Sequence, residues 1–195
     1  MHEYDLIAEW YASERVDQTG VPEVMALVKS LPPGARVLDI GCGNGIPITR
    51  ALLSAGYRIV GIDSSSEMLA RFRSNCPETP SVRGVVQCCP FDDAIFDAAV
   101  AWGVMFHLNQ EEQLKAIESI SRVLKTGAPF LFTSGDEDGN SDDFVGTMNG
   151  VTFHYYSFSS DNYRRILGER GFRLVDVHAD SGKNTYYLAH KSVSL

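Results

Sequence analysis

Residues 37–48 read VLDIGCGNGIPI, an apolar run that ends in an acid, followed by three glycines at alternate positions and the start of a helical pattern. The apolar run predicts a strand that is buried on both faces. Gly41, Gly43 and Gly45 provide the tight turn and the close backbone approach of a nucleotide-binding loop. This strand, loop and helix favour an α/β fold built on a parallel sheet.

The remainder of the chain repeats the alternation of strand and helix. Ser64 with Glu67, and Asn109 with Glu112, have the spacing of capping boxes at helix N-termini. Besides the helices after the glycine loop and after Ser64, helical patterns cover residues 4–13, 22–31, 109–124 and 160–170. Strand patterns cover residues 36–40, 57–62, 82–88, 96–104, 129–133, 172–178 and 185–190. This order predicts a Rossmann-like three-layer sandwich, with helices on both faces of a mostly parallel seven-stranded sheet that has an antiparallel C-terminal strand.

Length and charge limit the number of domains and the class of ligand. The 195 residues, 44% of them hydrophobic, fit one domain with a covered core. The formal net charge is −8 at pH 7, and no cluster of Lys and Arg provides the counterion release on which nucleic-acid binding depends. We therefore expect a small-molecule partner and no nucleic acid.

The sequence favours a soluble protein with reduced cysteines. Met1-His2-Glu3 lacks the basic region of a signal peptide, and no apolar run reaches the length of a membrane span. We expect a cytoplasmic protein without membrane contact. Adjacent Cys88 and Cys89 are too close for an unstrained disulfide. A metal or redox role for this pair is the alternative, but half-buried strand cysteines are commoner, so no metal is expected.

The residues around the glycines separate the nucleotides that such a loop can hold. A dinucleotide fingerprint requires a glycine five residues after the first, and Ile46 occupies that position. A phosphate-binding P-loop ends in Gly-Lys-Ser or Gly-Lys-Thr, whereas this loop continues as Gly45-Ile46-Pro47. The sequence therefore disfavours ATP and leaves a nicotinamide-dependent oxidoreductase as a minor alternative.

Two acids favour a different ligand. Asp39, near the end of the first strand, would repel a pyrophosphate but suits a ligand with an ammonium group. Asp63 ends the next strand roughly twenty residues further on, where a carboxylate can accept hydrogen bonds from both ribose hydroxyls. S-adenosylmethionine has an ammonium group, a ribose and no phosphate. The alternatives are that Asp39 is a satisfied buried acid and that Asp63 is a helix cap.

In this order and spacing, the motifs resemble those of the class I S-adenosylmethionine-dependent methyltransferases that act on small molecules. VLDIGCGNG is similar to the glycine-rich motif of that family, and GIDSSSEMLARFR is similar to its acidic ribose loop and following helix. FDAAVAWGVMFHL resembles the strand that borders the active site, and RVLKTGAPFLF resembles the approach to the fifth strand. The resemblance implies one methyltransferase domain over residues 1–195.

The resemblance also implies roles for the residues of the glycine loop and of the second strand. It implies that Asp39 and Gly41 bind the methionine end of S-adenosylmethionine, with Cys42 and Gly43 in the same cradle. It implies that Asp63 binds the ribose.

Further positions match the nucleoside side of the family's site. Ser64 and Met68 are implied to lie against the ribose and the adenine, although Met68 is also explained as core. In the family, an acid after the third strand often contacts the adenine amino group, and this chain has Gln87 and Cys88 there. Gln87 or a backbone group is the expected substitute.

The opening YDLIAEWY resembles the helix with which small-molecule methyltransferases cover the cofactor. The resemblance implies that residues 1–31 form a cap and that Tyr4, Trp10 or Tyr11 has a lid role. The seven-residue spacing of the two tyrosines is equally explained by packing along one helical face.

Aromatic faces stabilise a sulfonium charge, a role that we assign to Tyr11 or Trp102. His107 is the candidate for removing or orienting the acceptor proton, and a structural histidine is the alternative.

The later part of the chain is expected to form the acceptor side. Residues 135–149 are polar and read as one surface loop, and residues 151–158 form an aromatic segment. Together, residues 135–158 suggest an insertion over a flat or hydrophobic acceptor, with an ordinary sheet strand as the alternative for the aromatic part. We expect methyl transfer to an oxygen or nitrogen of a small molecule. A non-catalytic S-adenosylmethionine-binding regulator or partner subunit of the same fold is the alternative.

Overall fold

The computed structural model describes residues 3–14, 18–135, 143–179 and 185–192, and within these ranges it contains nine strands and six helices. The strands are β1 (Arg36–Ile40), β2 (Arg58–Asp63), β3 (Ser81–Arg83), β4 (Ala98–Ala101), β5 (Pro129–Ser134), β6 (Phe144–Met148), β7 (Val151–Tyr155), β8 (Phe172–Ala179) and β9 (Thr185–Lys191). The helices are α1 (Glu3–Glu14), α2 (Val21–Val28), α3 (Ile48–Ser54), α4 (Ser66–Asn75), α5 (Gln110–Val123) and α6 (Ser160–Glu169). None of these helices is long and apolar enough to cross a membrane.

Seven strands form one sheet in the spatial order β3-β2-β1-β4-β5-β9-β8. Strand β9 runs antiparallel to β5 and β8, and the other neighbours pair in parallel. The predicted Rossmann-like fold, with its antiparallel C-terminal strand, is therefore confirmed. The strand order reverses direction between β1 and β4, and ligands of such sheets bind at the carboxyl ends of the strands beside this point.

The central strands are apolar throughout because both of their faces are covered. Val37 and Leu38 are fully buried neighbours on β1 that belong to different core clusters. Val37 packs in the cluster that includes Val24 of α2, whereas Leu38 packs in the cluster that includes Ile117 of α5. Alternation of side chains along a strand thus places successive residues in separate helical layers.

Two predicted strands are shorter than the sequence pattern indicated. A strand was predicted over residues 82–88, but β3 ends at Arg83. The Gly84 N–H makes the last hydrogen bond to β2, to the carbonyl oxygen of Asp63 (3.0 Å). Val86–Cys88 then forms a 3₁₀ turn that packs against α5. The pattern over residues 96–104 forms a strand only over Ala98–Ala101. Apolar residues beyond a strand end are buried by turns as effectively as by strands, so periodicity alone overestimates strand length.

The predicted surface loop over residues 135–149 is wrong for its described part, which contains a strand. Strand β6 pairs antiparallel with β7, and this hairpin is a separate two-stranded sheet. Its turn is Asn149-Gly150, with positive φ angles of 47° and 76°, as a two-residue hairpin turn requires. The Asn-Gly pair was the sequence signal for it. Residues 136–142 lie outside the described ranges.

Helix caps follow the sequence with one correction. The capping box of α5 is confirmed, since Glu112 N donates to Asn109 Oδ1 (3.0 Å) and Asn109 N donates to Glu112 Oε2 (2.9 Å). The cap of α4 is Ser65 rather than the predicted Ser64, because the Ser65 hydroxyl accepts from Met68 N (3.1 Å). The one-residue shift leaves Ser64 facing a cavity.

A buried polar network joins α5, α6 and β5 to the segment that follows the hairpin. Tyr163 Oη donates to Gln113 Oε1 (2.6 Å) and lies 2.5 Å from Ser134 Oγ. Gln113 Nε2 donates to the carbonyl oxygens of Leu108 (2.9 Å) and Tyr156 (3.0 Å). Burial raises the pKa of Tyr163, so its hydroxyl stays protonated and remains a donor. The network therefore fixes where the chain leaves β7.

We expect Tyr163→Phe to lower the free energy of unfolding by ~1–3 kcal/mol, because Ser134 and Gln113 lose a buried partner while the ring volume is kept. Tyr156→Phe is the matched control, since Tyr156 is half-buried and only its backbone takes part in the network. Urea unfolding of both variants makes the comparison. Equal losses in the two variants would contradict a structural role for the network.

Candidate functional site

Three adjoining cavities lie at the carboxyl ends of β1, β2 and β4, and together we call them the cleft. The central cavity has a volume of about 140 Å³, the β3-side cavity about 250 Å³ and the loop cavity about 40 Å³. Gly41 borders all three cavities. The cleft therefore lies where the topology predicts a ligand.

The glycine loop forms the floor of the cleft and needs glycine at two positions for different reasons. Gly41 has a φ of 63°, and a Cβ there would lie 2.2 Å from Val104 Cγ2. Gly43 has a φ of 52°, and a Cβ there would meet only the Gly41 carbonyl oxygen, at 4.0 Å. Gly41 is thus required for packing, whereas Gly43 keeps its space open toward the central and loop cavities.

The Asp63 carboxylate links the glycine loop to the loop after β2. Its Oδ2 accepts from Gly43 N (2.8 Å), and its Oδ1 accepts from Ser65 N (2.8 Å). Asp63 also lines both the central and the β3-side cavities. Asp63 is therefore not the cap of α4. It is a fixed acceptor at the meeting point of two loops.

Helix α1 is attached to the same unit through Asp5, which the sequence analysis missed. Asp5 Oδ1 accepts from the hydroxyl of Ser65 (2.6 Å) and from Glu67 N (3.2 Å). A carboxylate beside the first N–H groups of α4 is favourable, because those groups have no partner within the helix. No local pattern marks Asp5, since its partners are about 60 residues away along the chain.

Asp39 is a buried acid whose protonation is set by its surroundings. It is 3% exposed, accepts from the Thr49 hydroxyl and lines the loop cavity. Burial raises the pKa of Asp39 to about 7, the Thr49 hydrogen bond opposes this rise, and the Asp63 charge adds to it. A cation in the loop cavity would favour the ionised form.

Cys42 lines the loop cavity without being reactive. Burial first, and then the charges of Asp39 and Asp63, raise the pKa of its thiol. A Cβ on Gly61 would lie 2.7 Å from Cys42 Sγ, so the thiol packs directly against β2. Since the thiolate is the nucleophilic form, the neutral Cys42 is a packing residue of the cradle.

Aromatic side chains form the wall opposite the glycine loop. Tyr4 and Tyr11 on α1 are in edge-to-face contact with ring centroids 5.6 Å apart, and both line the central cavity. Trp102 follows β4 and lines the central and loop cavities. Tyr4, Tyr11 and Trp102 are thus brought together with the glycine loop, whereas Trp10 lines none of the three cavities.

His107 stands where α1 meets the hairpin. Its Nε2 lies 2.9 Å from Tyr4 Oη, and both residues line the central cavity. The rings of Phe106, Phe153 and Tyr155 surround it with centroids 4.7, 5.6 and 5.0 Å away. The aromatic segment after residue 150 therefore packs on His107 and α1 instead of joining the main sheet.

The structure separates the two residues proposed for the adenine contact. Gln87 lines the β3-side cavity, and its Oε1 is buried with no hydrogen-bond partner among the described residues. Cys88 is exposed and lines none of the three cavities. Met68 is fully buried and lines the central cavity, and Ser64 lines the central and β3-side cavities.

The cleft is acidic. Its acidic lining residues are Asp39, Asp63 and Glu112, and with a pKa of about 7 Asp39 is only partly ionised at neutral pH. No Lys or Arg lines the cleft within the described part of the chain. Such a site favours ligands with a positive charge and disfavours anions.

Comparison with known proteins gives consistent matches. The family model of the methyltransferase domain matches residues 37–127. An uncharacterized methyltransferase of Synechocystis is 37% identical in an alignment of 175 positions that covers 85% of this chain and 81% of the relative. A tRNA (carboxymethyluridine(34)-5-O)-methyltransferase of Arabidopsis thaliana is 34% identical over 131 residues, which are 67% of this chain and 31% of that protein.

A solved structure matches over almost the whole chain. It is 1,6-didemethyltoxoflavin-N1-methyltransferase of Burkholderia thailandensis, with bound 1,6-didemethyltoxoflavin and S-adenosylhomocysteine. The TM-score is 0.77 at 20% identity, and the match covers 98% of this chain and 87% of that one. At this identity the match supports the fold.

The raised pKa of Asp39 gives a stability prediction with a definite sign. The ordinary pKa of an aspartate is 3.8, and that of Asp39 in the folded protein is about 7. Between these two pH values Asp39 is protonated in the folded protein and ionised in the unfolded chain. The contribution of Asp39 to the free energy of unfolding therefore falls as pH rises. Relative to Asp39→Asn, we expect wild-type protein to lose ~3 kcal/mol of unfolding free energy between pH 4.5 and 7.5. Urea titrations across this range measure the difference, with exposed Asp92→Asn as control. A constant difference between wild type and Asp39→Asn would contradict the assignment.

Proposed function

We propose that this chain, which belongs to the class I S-adenosylmethionine-dependent methyltransferases, transfers a methyl group to an oxygen or nitrogen of a small acceptor without negative charge. The observation that carries the acceptor proposal is the charge of the cleft. Phosphate and carboxylate ligands are normally held by Lys and Arg. The cleft offers carboxylates and aromatic rings instead.

The residues present fit the groups of S-adenosylmethionine. Asp39 in the loop cavity suits the ammonium group, and the Asp63 carboxylate, which lines the central and β3-side cavities, suits the ribose hydroxyls. The buried Oε1 of Gln87 requires a donor, and the adenine amino group is one. Gly43 leaves open the space that a side chain would fill. We therefore assign the methionine end to the loop cavity and the adenine to the β3-side cavity.

The chemistry requires alignment and exclusion of water more than acid–base machinery. S-adenosylmethionine supplies an electrophilic methyl group on a sulfonium when bound. Tyr11 and Trp102 offer aromatic faces that stabilise a positive charge in the central cavity. Helix α1 covers the cleft and is attached to it through Asp5 and through Tyr4. Both contacts hold α1 over the cleft, and we assign to α1 the role of excluding water from the reacting atoms.

His107 is the proposed acceptor of the substrate proton. Its Nε2 and the Tyr4 hydroxyl are 2.9 Å apart at the border of the central cavity, so the proton reaches Nε2 directly or through that hydroxyl. The rings of the hairpin hold the imidazole in place. We assign the hairpin part of residues 135–158 to the acceptor side, where a flat apolar acceptor would meet aromatic surface.

A second candidate acceptor is tRNA, which the name of the Arabidopsis relative suggests. This chain spans 31% of that protein, and the acidic cleft opposes a polyanion. The remaining alternative is a subunit that binds S-adenosylmethionine without transferring its methyl group. The two experiments below separate these functions.

For the donor site, we expect Asp63→Ala to weaken S-adenosylmethionine binding by roughly 1–3 kcal/mol, the scale of losing a charged hydrogen bond to a buried ribose. Calorimetric titration of the variant measures the affinity. Exposed Asp92→Ala is the matched control, and thermal melting verifies that both variants are folded. Unchanged affinity in folded Asp63→Ala would remove Asp63 from the site, and no binding by wild type would remove the donor.

For the acceptor, we expect S-adenosylhomocysteine release with uncharged phenols or heteroaromatic amines and none with tRNA or with carboxylate analogues of the same size. His107→Asn should reduce turnover about a hundredfold or more, while its affinity for S-adenosylmethionine is unchanged. Turnover that requires tRNA would replace the proposal with the second candidate. Donor binding without turnover on any acceptor would favour the non-catalytic subunit.

A further inference from the structure

A second cavity lies outside the cleft, between α2 and the strands β5, β8 and β9. Its volume is about 530 Å³, within the range of small-molecule sites. Its floor is apolar and consists mainly of Leu27, Leu131 and Leu188. We call it the α2 groove.

The α2 groove exists because the helices cover the two faces of the sheet unequally. On β9, Tyr187 and Ala189 face the core cluster that contains α5 and α6 residues. Tyr186 and Leu188 point to the other face, where α2 covers the sheet only in part. The groove is therefore a feature of the folded backbone and does not depend on one side-chain position.

The polar side chains at the rim of the groove include the carboxylates of Glu23 and Asp176 and the imidazoles of His178 and His190. The Glu23 carboxylate accepts from Tyr186 Oη at 3.2 Å. Asp176 Oδ2 lies 3.0 Å from His178 Nδ1, and the Asp176 side chain is 54% exposed. Both carboxylates keep acceptor sites for a further donor. Among the described residues, no Lys or Arg lines the groove.

A pair of rings separates the α2 groove from the cleft. Tyr186 lines the groove, and its ring centroid is 5.4 Å from that of Trp102, which lines the central cavity of the cleft. Gly20, just before α2, is also packed on Trp102, since a Cβ there would lie 2.3 Å from the indole. A ligand that moves α2 or Tyr186 would therefore change the environment of Trp102.

We propose that the α2 groove is a second binding site, for a small organic cation with an apolar body, and that its occupation is transmitted to Trp102. The apolar floor takes the body of the ligand, and Glu23 and Asp176 take its charge. A second copy of the chain is a poorer occupant, because two molecules with a net charge of −8 repel each other. The proposal goes beyond the methyl-transfer function and does not depend on it.

The test uses fluorescence of the Trp10→Phe variant, in which Trp102 is the remaining tryptophan of the two in the chain. The probes are 2-phenylethylammonium, the neutral 2-phenylethanol and the anionic 3-phenylpropionate. We expect a saturable change with the cation, binding about fivefold weaker for the alcohol, and none for the anion.

A double variant locates the site. In the same Trp10→Phe background, Glu23→Gln with Asp176→Asn should remove the preference for the cation. The matched control, Glu118→Gln with Asp161→Asn, changes two exposed carboxylates on α5 and α6 and should keep it. Each of three results would overturn the proposal. They are the absence of a saturable fluorescence change, equal affinity for the three probes, and a cation preference that survives the double variant. The last result would place the cation in the acidic cleft. The fluorescence titrations contain no methyl donor, so a negative result would not bear on the proposed methyl transfer.

Discussion

The Asp63 carboxylate is the interaction on which the arrangement of the cleft depends. In a parallel sheet, the loops after neighbouring strands leave backbone N–H groups without partners in the ladder, and these groups need acceptors. Asp63 accepts from Gly43 in one loop and from Ser65 in the next. Ser65 in turn donates its hydroxyl to Asp5 on α1. The glycine loop, the loop after β2 and the covering helix are therefore one hydrogen-bonded unit.

The hairpin side of the cleft depends on a second polar unit that shares no residue with the first. Gln113 and Tyr163 fix the chain at the end of the hairpin, and the hairpin rings pack on His107. A buried network of this kind is stable only when every polar group in it has a hydrogen-bond partner. Helix α1 joins the two units, because Asp5 accepts from the Ser65 hydroxyl and Tyr4 Oη lies 2.9 Å from His107 Nε2.

The sequence predicted the parts of the structure that are determined locally. Buried strands, the glycine loop and the acids that end β1 and β2 follow from burial on both faces and from backbone geometry. Residues whose role comes from tertiary contacts gave no local signal. Asp5 appears as a surface acid on a helix, and Gln113 appears as a surface polar residue although it is fully buried. Strand β6 was missed because the polar residues before it outweighed the Asn149-Gly150 turn signal.

We propose that a partly protonated Asp39 receives the ammonium group of the methyl donor, and proton release on binding tests this role most directly. Calorimetric titration of S-adenosylmethionine at pH 6.5, in two buffers with different protonation enthalpies, measures the number of protons exchanged. With a pKa of about 7 in the free protein, Asp39 should release roughly 0.8 proton per donor bound. Asp39→Asn should release almost none. The absence of proton release in wild type, or equal release in the two proteins, would contradict the account.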